Sequence, residues 1–209
     1  VWINDGSGNF TDSGQSLGDH DSRSVAVGDV DGDGDLDALV ANDNQSSTRV
    51  WFNDGSGNFT PSGQSLGDHD SWGIALGDLD GDGDLDALVA NDNQSNRVWV
   101  NDGSGNFTDS GQSLGDHDSR GMALGDLDGD GDLDALVLNN GQGNRVWIND
   151  GSGNFTDGGQ ILGNHDSSGV ALGDLDDDGD LDAFVVNGVA HGNRAWLNCN
   201  PPQISGVLV

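Results

Sequence analysis

Four stretches of the chain carry aspartates at a spacing that suits one hard cation each. The first runs Asp29-Val30-Asp31-Gly32-Asp33-Gly34-Asp35-Leu36-Asp37. In a tight turn, the side chains at positions 1, 3 and 5 of this run face one centre, and position 9 closes the shell. Glycine at position 6 permits the positive φ that bends the chain, so that position 7 offers its backbone carbonyl. An all-oxygen shell suits Ca²⁺, which takes about 6–8 oxygens at roughly 2.3–2.6 Å. Mg²⁺ demands a stricter octahedron, and a loop without His or Cys disfavours zinc. The same pattern recurs as Asp78, Asp80, Asp82, Asp84 and Asp86; as Asp126, Asp128, Asp130, Asp132 and Asp134; and as Asp174, Asp176, Asp178, Asp180 and Asp182. The expectation is therefore about four Ca²⁺ ions, one per loop. The fourth loop departs at position 4, where Asp177 replaces glycine and is expected to point outward.

Two other readings of these loops compete. An acidic turn that binds nothing would leave four clusters of like charge unrelieved. An EF-hand shares the first six positions but needs a bidentate acid at position 12 and flanking helices. Position 12 is Val40, Val89, Val137 and Val185, each inside an apolar strand-like run, so the EF-hand is excluded.

The elements that position the loops belong to one repeated unit. The first aspartates of the loops, Asp29, Asp78, Asp126 and Asp174, are 49, 48 and 48 residues apart. The turn Asn-Asp-Gly-Ser-Gly-Asn-Phe-Thr recurs from Asn4, Asn53, Asn101 and Asn149. Each unit reads as four short strands: Val25 to Gly28, Leu36 to Ala41, Arg49 to Phe52, and a more polar one from Phe59 to Leu66. No segment carries a useful apolar period of 3.6 residues. The fold expected is all-β, a β-propeller-type array of four-stranded blades. Units fall at about 1–49, 50–97, 98–145 and 146–198, and 199–209 reads as a linker or the start of a further module. The count comes to seventeen strands, because Val1 to Asn4 and Ala195 to Asn198 are the same element. Four closed blades with one spare strand, and an open array that continues into a neighbouring chain, both accommodate that number. The chain opens inside a repeat, as a processed product or a fragment would.

Composition agrees with a metal-supported β array. Of 209 residues, 33% are hydrophobic and 36 are glycine, yet the apolar residues cluster in blocks such as Ala38-Leu39-Val40. The net charge is −31; all 37 acids are aspartate and all six cations arginine. So acidic a surface repels the phosphate backbone of nucleic acid. The single cysteine, Cys199, excludes an intrachain disulfide, and no apolar run approaches the ~20 residues that span a membrane.

The segment Val25-Ala26-Val27-Gly28-Asp29-Val30-Asp31-Gly32-Asp33-Gly34-Asp35-Leu36-Asp37 resembles the FG-GAP repeat of integrin α-subunit propellers. Taken with Arg49-Val50-Trp51-Phe52-Asn53-Asp54-Gly55-Ser56-Gly57-Asn58-Phe59, it is still more similar to the bacterial VCBS-type version. The resemblance extends to about Asn198. It implies a propeller blade with calcium in the hairpin loop, bound by Asp29, Asp31, Asp33 and Asp37 through side chains and by Asp35 through its carbonyl. It also implies a secreted or surface protein of adhesion or recognition. Integrin-like propellers usually have seven blades, whereas four repeats stand here.

Further features have two readings each. Trp2, Trp51, Trp99, Trp147 and Trp196 recur in the third strand, as packing anchors or as sugar-stacking platforms. Asp19-His20-Asp21-Ser22 and its copies suit a crossover turn, or a metal ligand or pH-sensitive group. Asn9, Asn44, Asn58, Asn93, Asn106 and Asn154 head glycosylation sequons, though Asn also suits turn geometry. No catalytic constellation emerges. The function expected is a non-enzymatic, calcium-binding extracellular structural or adhesion module. The alternatives are a fibre subunit pairing with copies of itself and a glycan-binding lectin.

Overall fold

Five antiparallel sheets follow one another along the chain, and the computed structural model describes residues 1–44, 46–188, 191–199 and the backbone of 205–208. Trp2–Asn4 (β1) and Phe10–Asp12 (β2) form a two-stranded pair. The first four-stranded sheet comprises Ser22–Gly28 (β3), Asp37–Asn42 (β4), Thr48–Asn53 (β5) and Phe59–Leu66 (β6). The second comprises Ser71–Gly77 (β7), Asp86–Asn91 (β8), Arg97–Asn101 (β9) and Phe107–Asp109 (β10). The third comprises Ser119–Gly125 (β11), Asp134–Asn139 (β12), Asn144–Asn149 (β13) and Phe155–Leu162 (β14). The last comprises Ser167–Gly173 (β15), Asp182–Asn187 (β16), Arg194–Leu197 (β17) and Ser205–Leu208 (β18). Each four-stranded sheet is a meander in sequence order, and no helix occurs among the described residues.

Two features differ from the sequence expectation. The first strand of each unit starts at Ser22, Ser71, Ser119 and Ser167, several residues earlier than the apolar run suggests. Those polar residues pair through the backbone, which apolar patterning does not register. The stretch 199–209, expected as linker or a further module, contributes β18 at 205–208, which pairs with β17 from Arg194↔Leu208 to Leu197↔Ser205. The count among the described residues is therefore eighteen strands. An open sheet edge presents N–H and C=O groups that any extended segment can satisfy, so the repeat sequence is not required there.

The second strand of each unit is the buried one. Every residue of β8 and β12 is buried, and β4 is nearly so, which is why Asp-Ala-Leu-Val reads as an unbroken apolar run after its aspartate. The core lies between sheets rather than within one. Leu39, Val50 and Leu66 of the first sheet pack with Ile74, Val89 and Phe107 of the second, and the next two pairs of sheets repeat the arrangement. The inner strands β3, β7, β11 and β15 pack in that order. The outward face of β3 is bare by comparison: Val25 is 60% exposed, whereas its equivalent Ile74 is 9% exposed.

Glycine permits a close inter-sheet contact. A Cβ at Gly28 would stand 2.6 Å from Cδ1 of Leu85, position 8 of the next loop; Gly77 faces Leu133 in the same way. The glycine preceding each of these Asp loops thus seats the following unit's leucine. Polar clamps reinforce the stack. The Gln64 side chain accepts the N–H of Phe107 at 2.9 Å and donates to the Gly105 carbonyl; Gln112 treats Phe155 and Gly153 identically. Gln15 likewise accepts the N–H of Phe59 at 3.0 Å, so β1 and β2 flank the outer strands of the first sheet.

Candidate metal centre

Each Asp loop links the first strand of a unit to the second, where a hairpin must turn through two left-handed residues. Position 6 is left-handed in all four, at φ 94°, 97°, 100° and 95° for Gly34, Gly83, Gly131 and Gly179. Position 4 is left-handed as well, at φ 77°, 80° and 83° for Gly32, Gly81 and Gly129. Asp177 takes this conformation at φ 63°, a strained choice for a residue with a Cβ. The sequence showed the substitution but not the backbone demand beneath it.

Within the turn, the aspartates first organise their own backbone. Asp29 accepts the N–H groups of Gly32 (2.9 Å) and Gly34 (3.0 Å), one on each oxygen, and Asp33 accepts that of Asp35 at 2.9 Å. Asp78 and Asp126 hold their loops in the same way. In the fourth loop, Asp174 instead accepts from Asp178 (3.2 Å) and Gly179 (3.1 Å). The shift accompanies the non-glycine residue at position 4.

Carboxylates from three positions converge in every loop, each triad having ligand atoms within 4.8 Å of one another. The triads are Asp29, Asp31 and Asp33; Asp78, Asp80 and Asp86; Asp126, Asp128 and Asp134; and Asp174, Asp176 and Asp182. Positions 1 and 3 meet in all four loops. The third member is position 5 in the first loop and position 9 in the others, so Asp37 stands outside its triad, as do Asp82, Asp130 and Asp178. Position 7 joins none: Asp35, Asp84 and Asp132 turn their carboxylates toward Gly55, Gly103 and Gly151 of the neighbouring hairpin turn. Asp180 likewise lies outside its triad.

Electrostatics distinguish position 3. Asp31, Asp80, Asp128 and Asp176 are all pushed above the ordinary carboxylate range, by desolvation first and then by neighbouring aspartates. Position 9 is the buried member, with Asp37, Asp86 and Asp134 at 0% exposure and Asp182 at 1%. Burial also raises Asp86 and Asp134, against the hydrogen bonds they accept. Those bonds come from Leu79 and Asn101 to Asp86 (3.0 and 2.8 Å) and from Leu127 and Asn149 to Asp134 (both 2.9 Å). Each carboxylate oxygen retains a lone pair for an ion. Uncompensated like charge, oxygen donors alone and a preformed turn make a donor set that fits calcium.

A second set of residues escaped the sequence reading. In the last three sheets the asparagine at the end of the third strand or just after it reaches across to the preceding loop: Asn101 Nδ2 donates to the Val30 carbonyl (2.8 Å), Asn149 to Leu79 (2.8 Å) and Asn198 to Leu127 (2.7 Å). The loop of one unit is thus tied to the sheet of the next. Recurrence of this asparagine at the head of every Asn-Asp-Gly turn was the available signal.

The remaining motifs have structural partners. Trp99, Trp147 and Trp196 pack against the inter-sheet clusters. Asp19-His20-Asp21-Ser22 and its copies form the crossover turn, with Ser22 N–H donating to the His20 carbonyl at 3.0 Å. In the last copy, His165 stacks on His191 with centroids 4.2 Å apart. Asn58, Asn106 and Asn154 donate from Nδ2 to Asp54, Asp102 and Asp150, and this donation, followed by backbone N–H groups, holds those carboxyls below the usual range.

Comparison with known proteins agrees with this geometry. No curated protein matches the chain. The family model for the FG-GAP-like repeat matches residues 1–40, 29–89, 78–137 and 126–185. Successive matches overlap across an Asp loop, which every window contains. Together they cover well over half of the sequence, and the chain belongs to the FG-GAP-like repeat family.

Proposed function

We propose that this chain is a calcium-stabilised extracellular module of structural or adhesive kind, its four-stranded sheets being blades of a β-propeller-type array. The observation that carries the proposal is the convergence of three carboxylates at the same place in four successive loops. Each of the first three loops is hydrogen-bonded to the next sheet, so an ion there would stiffen the joint between units as well as the turn. Positions 1, 3, 5 and 9 would ligate through side chains and position 7 through its carbonyl. The family supports an extracellular, non-catalytic role, because FG-GAP-like repeats typically serve as such modules.

Thermal unfolding tests the reading. Ligands that bind the folded state alone at 100 times their Kd add about 2.7 kcal/mol each. For a chain of this size, about 1 kcal/mol moves Tm by roughly 2–4 °C. Four sites therefore predict a Tm lower by at least about 20 °C in excess EDTA than in millimolar calcium. An unchanged Tm contradicts the proposal.

A further inference from the structure

The inner strands carry a second repeated device, at the end opposite the Asp loops. Their pairing slips between Ser22 and Ser24, Ser71 and Gly73, Ser119 and Gly121, and Ser167 and Gly169. The extra residues at these bulges are Arg23, Trp72, Arg120 and Ser168. A bulge turns its side chain out of the ladder, and bulges recur beside binding sites for that reason. The units are otherwise near copies, so this position stands out: two guanidiniums, an indole and a hydroxyl occupy it. Four of the six arginines, Arg49, Arg97, Arg145 and Arg194, fill one repeated place in the third strands; the other two are here.

The three long side chains stack in the order of their strands. Arg23 Cζ lies 4.4 Å from the Trp72 ring centroid, and Arg120 Cζ lies 3.7 Å from it. Carboxylates pin both cations: Arg23 pairs with Asp43 and Asp21, and Arg120 with Asp118 at 2.6 Å and Asp92 at 3.7 Å. The series then stops, because Ser168 is too short to supply a fourth layer. A cavity of about 460 Å³ occupies that place, lined among others by Trp72, Arg120, Asn140, Asp166, Ser167 and Ser168.

We propose that this cavity binds an aromatic ring bearing a protonated amine, with the ring stacked against Arg120 as the missing fourth layer. Guanidinium planes stack on aromatic faces, and the Trp72 contact already displays that geometry. Ligand cavities run about 300–1,000 Å³, and about 150 Å³ suffices for benzene, so the space admits a bicyclic ring with a short arm. The charge requirement follows from the surroundings. Asp166 lines the cavity, Asp92 and Asp118 stand behind Arg120, and the chain as a whole is at −31. An anionic ring is repelled, whereas an ammonium meets the Asp166 carboxylate. Neither the stack nor the cavity includes an Asp-loop residue, so the inference stands apart from the calcium proposal.

Calorimetric titration of the 209-residue protein in calcium-containing buffer tests it. Two sources offer the ligand chemistry, a free arylalkylamine and the N-terminal aromatic residue of a peptide. Tryptamine and the tripeptide Trp-Gly-Gly are separate arms, and the tighter of the two identifies the source. Saturable binding at one site is expected, weakened at least tenfold for 2-cyclohexylethylamine, which keeps the amine but has no π face, and lost for indole-3-acetate. Ser168→Trp should abolish binding by filling the slot from within, with circular dichroism unchanged. If that variant does not fold, Arg120→Lys, which keeps the charge without the plane, should weaken binding at least fivefold. Absence of binding in both arms, equal binding of the cyclohexyl amine, or full binding by a folded Ser168→Trp or Arg120→Lys protein would overturn the proposal.

Discussion

At the scale of the residue, position 9 of each loop differs in kind from positions 1, 3 and 5. Asp134 is fully buried, and both of its oxygens accept backbone N–H groups, from Leu127 and from Asn149. Removing it leaves two buried donors unpaired. Asp134→Ala is therefore expected to destabilise the protein by about 3–5 kcal/mol in denaturant unfolding in EDTA, and by more in calcium, where a ligand is lost as well. Asp130 accepts one N–H, from Asp132 within its own exposed turn. Asp130→Ala should lose one calcium site and change chelated stability by less than about 1 kcal/mol. Equal behaviour of the two variants in EDTA would show that position 9 has no separate structural role. Asp177 supplies the converse case. Its left-handed backbone favours glycine, so Asp177→Gly should raise stability by about 0.5–1 kcal/mol. The charge pattern of the loops was legible in the sequence. The engagement of position 9 was not, because its second donor, Asn149, lies 15 residues further on and meets it through strand pairing.

At the scale of the element, the repeat did most of the specifying. Four-residue apolar blocks separated by glycine, asparagine and aspartate turns place four strands per unit, and four meanders result. Misplaced boundaries share one cause. The start of the first strand and the whole of β18 are held by backbone pairing without apolar alternation, a signal that side-chain patterning cannot carry. The clamps between sheets were equally hidden, since a glutamine in or just beyond a polar strand has no signature until its neighbour is known. Gln112 holds both an N–H and a carbonyl of the next sheet. Gln112→Ala should cost about 1–2 kcal/mol. Amide hydrogen exchange at Phe155 should quicken while exchange in β8 stays slow, because the lost contact is local to one joint. Uniform acceleration across all sheets would place the energetics elsewhere.

At the scale of the whole molecule, the chain combines features that would each weaken an ordinary domain: 36 glycines, one cysteine and a net charge of −31. Adjacent sheets share their core, so each unit depends on its neighbours, as in other repeat architectures. The Asp loops sit at these joints, tied across by Asn101, Asn149 and Asn198. Four bound divalent ions, eight positive charges, would bring the net charge from −31 to −23 while relieving repulsion where it is most concentrated. On this account, calcium acts as the fastener of a glycine-rich array more than as a signal that it senses. The most direct measurement is calorimetric titration of the chelated protein with calcium. The account predicts close to four ions per chain, falling to close to three for Asp130→Ala. A stoichiometry of zero or one, or one unchanged by that substitution, would contradict it.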